Sequence, residues 1–225
     1  MTKVFFAGSE TSVNLDALLK NNIKNLLFSF VYIEKIKDIE KLFSKLKEEK
    51  KTIMIDSGAH TLQHKIKIVN YDKFFQDYLF FLKKYKKYID LFVELDIDNV
   101  VGWDKVEFWR ETMTKTIGEP IIVWHKWSEK LTKRLLFEEY CKKYSYIGIP
   151  NKDLKNINLN YAFTKLKEYK TKCHGFAMTK PDIMKKFNFT SVDSTSWLSG
   201  ARYGNTYLFK NNTIKCLRKE KFLVG

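Results

Sequence analysis

The chain has 225 residues, 44% of them hydrophobic, enough for one domain with a real core, expected to span 1–225. Its net charge is +15, from 41 basic and 26 acidic residues, with arginine only at Arg110, Arg134, Arg202 and Arg218. That excess favours a polyanionic partner such as nucleic acid, because neutralised phosphates release counterions; abundant Lys, Asn, Ile and Phe are also what A- and T-rich coding produces. No stretch of 18 or more residues is free of charge, which excludes a transmembrane helix. The apolar run Val4–Ala7 is too brief for a signal peptide, and Cys141, Cys173 and Cys216 are scattered, odd in number and never spaced as C-x-x-C. A reducing, cytoplasmic setting is expected, with no disulfide framework, no zinc site and no membrane association.

In chain order, short apolar runs read as strands at Val4–Ala7, Asn25–Tyr32, Thr52–Asp56, Tyr88–Asp96, Pro120–His125, Tyr144–Ile149, Cys173–Met178 and Phe189–Asp193. Most lack polar alternation, as parallel strands covered on both faces do. Amphipathic stretches lie between them at Glu34–Lys50, Tyr71–Lys87, Lys105–Ile117, Glu129–Lys143 and Asn158–Lys170. The aromatic residues within Tyr71–Lys87 recur at three and four spacing opposite lysines, which is a core-facing stripe. Eight strand–helix units without a Gly/Ser/Pro-rich linker predict a single compact (β/α)8 TIM-type barrel, with a doubly wound open sheet as the alternative.

A barrel keeps its chemistry at the C-terminal ends of its strands. Unusual residues collect there: Asp56-Ser57-Gly58 after the third run, Glu94-Leu95-Asp96-Ile97-Asp98 after the fourth, His125 after the fifth, Gly148 in the sixth and Asp193 in the eighth. Two carboxylates at a barrel mouth could divide the labour of cutting a bond at a sugar carbon. The alternative is that each aspartate caps the helix that follows it.

Taken in order, Asp56-Ser57-Gly58-Ala59-His60, Asp193 and Ala201-Arg202-Tyr203-Gly204 resemble motifs of the tRNA-guanine transglycosylase superfamily, closest to its DNA-modifying branch in phages and bacteria. The resemblance covers about residues 50 to 209. It implies a pentosyltransferase that replaces guanine in DNA with a free 7-deazaguanine, with tRNA as the alternative substrate and a non-catalytic nucleic-acid-binding barrel as a further one. Asp193 would be the nucleophile, forming an aspartyl-sugar intermediate, and Asp56 the acid and base. Asp96 would read the base edge, with Glu94 and Asp98 as competitors. Ser57 and Gly58 would stand beside the base, Gly148 would let backbone amides approach it, His125 would bond base or phosphate, and Arg202 would clamp a phosphate. Trp103, Trp124, Trp127 and Trp197 are candidates for stacking on an extruded base, or packing residues. The superfamily's zinc subdomain has no counterpart, since no histidine follows His174 and only Cys216 lies beyond the eighth strand; no cofactor is implied. Hydrolysis of a glycoside or nucleoside by the two aspartates is a separate alternative, distinguished by needing no incoming base.

Overall fold

The computed structural model describes residues 2–63, 70–125, 136–155, 157–178, 180–204, 206–210 and 213–217. Eight parallel strands form the centre: β1 (Lys3–Ala7), β2 (Asn25–Ser29), β3 (Thr52–Asp56), β4 (Leu91–Phe92), β5 (Ile122–Val123), β6 (Tyr146–Pro150), β7 (Lys172–Phe176) and β8 (Ser191–Ser194). Each pairs with its neighbours in chain order, and β1 also pairs with β8. The remaining gap is bridged by a parallel pair, Val93 and Ile121. There the Ile121 N–H donates to the Phe92 carbonyl (2.8 Å) and the Glu94 N–H to the Ile121 carbonyl (3.2 Å). The eight-stranded sheet thus closes on itself through this bridge. The expected TIM-type barrel is the fold, and the open doubly wound sheet is not.

Period-two alternation along the strands separates two cores. Inside the barrel lie Phe5, Ala7, Leu27, Met54, Val93, Ile121, Val123 and Tyr146, with Leu91 and Phe176 packed on them. Outside, the opposite strand faces meet the helices. The layer over β1–β4 is rich in aromatics, including Phe28, Phe30, Phe43, Phe75, Tyr78 and Phe81. Helix Tyr71–Tyr85 starts on the Asn70 side chain, which accepts the Lys73 N–H (3.0 Å), and buries Phe75, Tyr78, Phe81, Leu82 and Tyr85. Its aromatic stripe is core, as its spacing predicts. Burying each such side chain contributes about 1.5–3 kcal/mol. The layer over β5–β8 uses Phe137, Tyr140, Leu166, Phe187 and Phe189.

Several boundaries differ from expectation. The second strand stops at Ser29 rather than Tyr32, because the Ser29 N–H turns to the Glu10 carboxylate (2.6 Å) and Phe30–Ile33 coils into a helical turn. The stretch Glu34–Lys50 becomes helical only at Ile39, where Asp38 accepts the Lys41 N–H (3.4 Å) as cap. Of Glu129–Lys143, the described part is helix Phe137–Lys143; Trp127 lies outside the described residues. Helices Ser12–Lys20 and Pro181–Lys186, and an antiparallel hairpin of β9 (Thr206–Lys210) with β10 (Thr213–Leu217), were not expected from periodicity. Helix Ser12–Lys20 buries fully only Leu18, so its apolar stripe is faint. Among the described residues, no helix is long and apolar enough to cross a membrane.

Candidate active site

The C-terminal ends of the strands surround a cavity of about 870 Å³. Of the residues singled out in the sequence, Asp56, Asp96, His125, Asp193 and Arg202 line it. Asp56 and Asp193, distant in sequence, end β3 and lie within β8, and both open onto this one space. The cavity falls in the range typical of small-molecule sites.

Its electrostatics are dominated by carboxyl groups. Burial, reinforced by the charges of Asp96, Asp193 and Glu10, pushes the Asp56 carboxyl up to about 7, although the Gly58 N–H donates to its Oδ2 (2.9 Å). A carboxyl placed so can hold a proton near neutrality and give it up. Asp193 is held differently: its Oδ1 takes the Ala177 N–H (3.0 Å) and a contact from His174 Nε2 (3.1 Å). Its Oδ2 has no protein partner among the described residues. Two carboxyls of unlike environment therefore share one cavity, the arrangement that separates acid from base.

His125 stands between two carboxylates, with Nδ1 2.9 Å from Asp153 Oδ2 and Nε2 3.1 Å from Asp96 Oδ2. Carboxylates only accept, so both ring nitrogens must donate and the imidazole is a cation. Burial works against this, but the two carboxylates prevail and raise His125 to about 9. The cation ties the ends of β4 and β5 to the short turn Asn151–Lys155 and fixes Asp96 at the cavity wall.

Ser57, Gly58 and Gly148 do not line the cavity. Ser57 is fully buried and its hydroxyl finds no partner among the described residues. Gly58 has a φ of 81°, and a Cβ there would lie 2.4 Å from Val31 Cγ2. Its glycine identity serves the turn that brings its N–H back to Asp56. At Gly148 a Cβ would lie 2.1 Å from Phe176 Cε2, so this glycine makes room for the Phe176 ring at the cavity floor rather than for a ligand. The competitors of Asp96 are also accounted for. Glu94 is a buried structural partner, bonded by Arg110 Nε (2.7 Å), Arg110 Nη2 (3.2 Å) and the Val123 N–H (2.6 Å). Asp98 opens helix Asp98–Val101, outside the cavity lining. Trp124 is core, Trp103 covers the Arg110 guanidinium, and Trp197 donates to the Ala7 carbonyl (2.9 Å). None of these three is a stacking platform facing the cavity.

Other residues at the site carried no assignment from sequence. Glu10 lines the cavity, its carboxyl raised by burial while the Ser29 N–H partly offsets this. Asp153 and His174 act behind the wall, on His125 and Asp193. Their signal was a polar residue inside an otherwise apolar strand or just after one, as in Lys172-Cys-His-Gly-Phe176. Cys141 and Cys173 are buried free thiols; burial pushes Cys141 up to about 12 and Cys173 higher still, which leaves both unreactive. Among the described residues, no group of three or more His, Cys, Asp or Glu could hold a metal ion.

No protein-family model matches the chain, and no curated protein matches it. Among solved structures the chain is similar to orotidine 5'-monophosphate decarboxylase from Methanocaldococcus jannaschii, complexed with the inhibitor BMP. The identity is 12% and the TM-score 0.48, over 86% of this chain and 88% of that one. That likeness assigns no residue a role. The transglycosylase resemblance is corrected by these findings: no model of that superfamily matches, and the similar barrel is a decarboxylase's. With it go guanine exchange in DNA or tRNA, the 7-deazaguanine partner, the pentosyltransferase class, the phage and DNA-modification setting and the nucleic-acid-binding alternative. The geometry offers a physical reason: Ser57, Gly58 and Gly148, which the resemblance set around a base, are spent on turns and packing. What the chain is similar to is a barrel, and its chemistry has to be argued from its own carboxyl groups.

Proposed function

We propose that this cavity is the active site of a hydrolase that cleaves a small, uncharged glycoside, with Asp56 as general acid and Asp193 as the base that activates water. The observation that supports it most is the Asp56 proton, held to about 7 by burial and by the charges of Asp96 and Asp193 around the same space. In the proposed step Asp193 takes a proton from water as its oxygen attacks the sugar carbon, and Asp56 delivers a proton to the departing oxygen or nitrogen. The bond to the leaving group breaks, the bond to water's oxygen forms, and sugar and free alcohol or amine depart.

The lining supports an uncharged, hydroxyl-bearing substrate. Asp96 and Asp193 disfavour anions, the protonated Asp56 can donate to an oxygen, and Asn14, Gln63 and Asn151 offer amide groups to hydroxyls. Arg202 and Lys152, which also line the cavity, would then bond sugar oxygens rather than phosphates.

A panel of small glycosides and free nucleosides, followed for reducing sugar in ¹⁸O-labelled water, tests this. Expected is release of at least one sugar carrying the label at its anomeric carbon, abolished by Asp56→Asn and by Asp193→Asn. Release that neither substitution affects, or no release from any member, would overturn the proposal.

A further inference from the structure

We propose that His174 is a positioning residue for Asp193, the last link of a one-way hydrogen-bond chain that runs from Tyr146 through Ser191 and His174 inside the barrel. This rests on Asp193 being the carboxylate at the site, as proposed above, and goes beyond it in saying what aims that carboxylate. The parallel register of β7 and β8 places His174 beside Ser191. Tyr146 Oη lies 2.6 Å from Ser191 Oγ, Ser191 Oγ 2.5 Å from His174 Nδ1, and His174 Nε2 3.1 Å from Asp193 Oδ1.

The direction of every proton follows from the end of the chain. A carboxylate at Asp193 only accepts, so His174 carries its proton on Nε2. A neutral imidazole then has a lone pair at Nδ1, which accepts from the Ser191 hydroxyl, and Ser191 Oγ accepts in turn from the Tyr146 hydroxyl. Each donor is used once and none is left over. His174 and Ser191 are fully buried, Tyr146 nearly so, and an unpaired polar group at that depth would be costly.

A second feature on the same carboxylate points the same way. Ala177, just past β7, has a φ of 51°, a left-handed conformation unfavourable for a residue with a Cβ. In that conformation its N–H donates to Asp193 Oδ1 (3.0 Å), and the next N–H, of Met178, donates to the Asp193 carbonyl (2.9 Å). Oδ1 is thus fixed twice, by a strained turn and by the buried chain, and Oδ2 is the oxygen left for water.

Ring ¹⁵N NMR of His174 in the wild type and in Ser191→Ala tests the chain without any substrate. Expected in the wild type is a proton on Nε2 and a bare Nδ1 that accepts a hydrogen bond; in Ser191→Ala the Asp193 carboxylate keeps the proton on Nε2, while the Nδ1 resonance moves toward that of a lone pair with no donor. A wild-type proton on Nδ1, protons on both nitrogens, or an Nδ1 resonance that Ser191→Ala leaves unmoved would overturn the proposal. Should Ser191→Ala not fold, Tyr146→Phe gives the same comparison with a smaller displacement, and the wild-type spectrum decides alone. In the glycoside assay Ser191→Ala should lower kcat about 10-fold to 100-fold with KM unchanged; an undiminished kcat would contradict a positioning role. If the wild type cleaves no glycoside, the hydrolase proposal fails while the tautomer still decides the chain.

Discussion

The inside of the barrel is two different materials. From β1 to β5 it is filled by Phe5, Ala7, Leu27, Met54, Val93, Ile121 and Val123, which interlock and carry no hydrogen-bonding atoms in their side chains. From β6 to β8 the same layer holds Tyr146, His174, Ser191 and Asp193, joined into one chain of hydrogen bonds. Apolar packing would have stabilised the second half as it does the first, with no buried polar atom left to satisfy. The difference teaches that β6–β8 are built for what stands at the cavity wall. The first half is the apolar frame, and the end of its β3 carries Asp56 to the same cavity.

The largest effect should come from the two aspartates. Asp56→Asn removes the proposed proton donor and should lower turnover on the order of 10³-fold, with Asp193→Asn at least as severe, while the Asp56 variant loses no thermal stability. Undiminished activity in either variant would end the reading of the two aspartates as the reacting pair. Next in size is the buried pair outside the cavity. Glu94→Gln leaves the Arg110 guanidinium without its anion and should cost about 3–5 kcal/mol in denaturant unfolding. That loss would mark Glu94 as frame, distinct from Asp96 two residues on. Gly148→Ala sharpens the comparison further. The added methyl meets the Phe176 ring, costs about 1–3 kcal/mol, and should impair turnover by moving the cavity floor. Thermal melts together with the activity assay separate the two consequences.

The pH dependence of stability gives a further test. Asp56 rises from an ordinary 3.8 to about 7 in the folded protein, so the folded state binds the extra proton and loses stability as pH climbs through that window. His125 rises from 6.5 to about 9; its contribution is complete below the lower value and is lost as pH passes the higher one. Denaturant midpoints should therefore decline across both windows. Asp56→Asn should flatten the lower window and Asp153→Asn the upper, each leaving the other in place. Activity should fall above about 7 because the acid form of Asp56 is lost.

The frame was legible in the sequence because short, unbroken apolar runs such as Thr52–Asp56 are what a strand covered on both faces requires. The helix Ser12–Lys20 was not, since a helix lying loosely on the surface needs little apolar periodicity. Around the cavity, Asp56, Asp96, His125 and Asp193 could be picked out because the strand ends of a barrel surround one space, and Arg202 from the motif it stands in. Ser57, Gly58 and Gly148 could not be told apart from them, because a glycine forced by Val31 or by Phe176 looks in sequence like one that admits a ligand. His174 and Asp153 escaped for another reason: they work on a cavity residue through one hydrogen bond, and only the register of neighbouring strands and turns brings those atoms together.

A ¹³C NMR titration of the Asp56 carboxyl, in the wild type and in Asp193→Asn, tests most directly whether the two groups share one cavity as acid and partner. Titration near 7 in the wild type, moving toward the ordinary carboxyl range once the Asp193 charge is removed, is the predicted result. An ordinary titration in the wild type, or one that Asp193→Asn leaves unmoved, would contradict it.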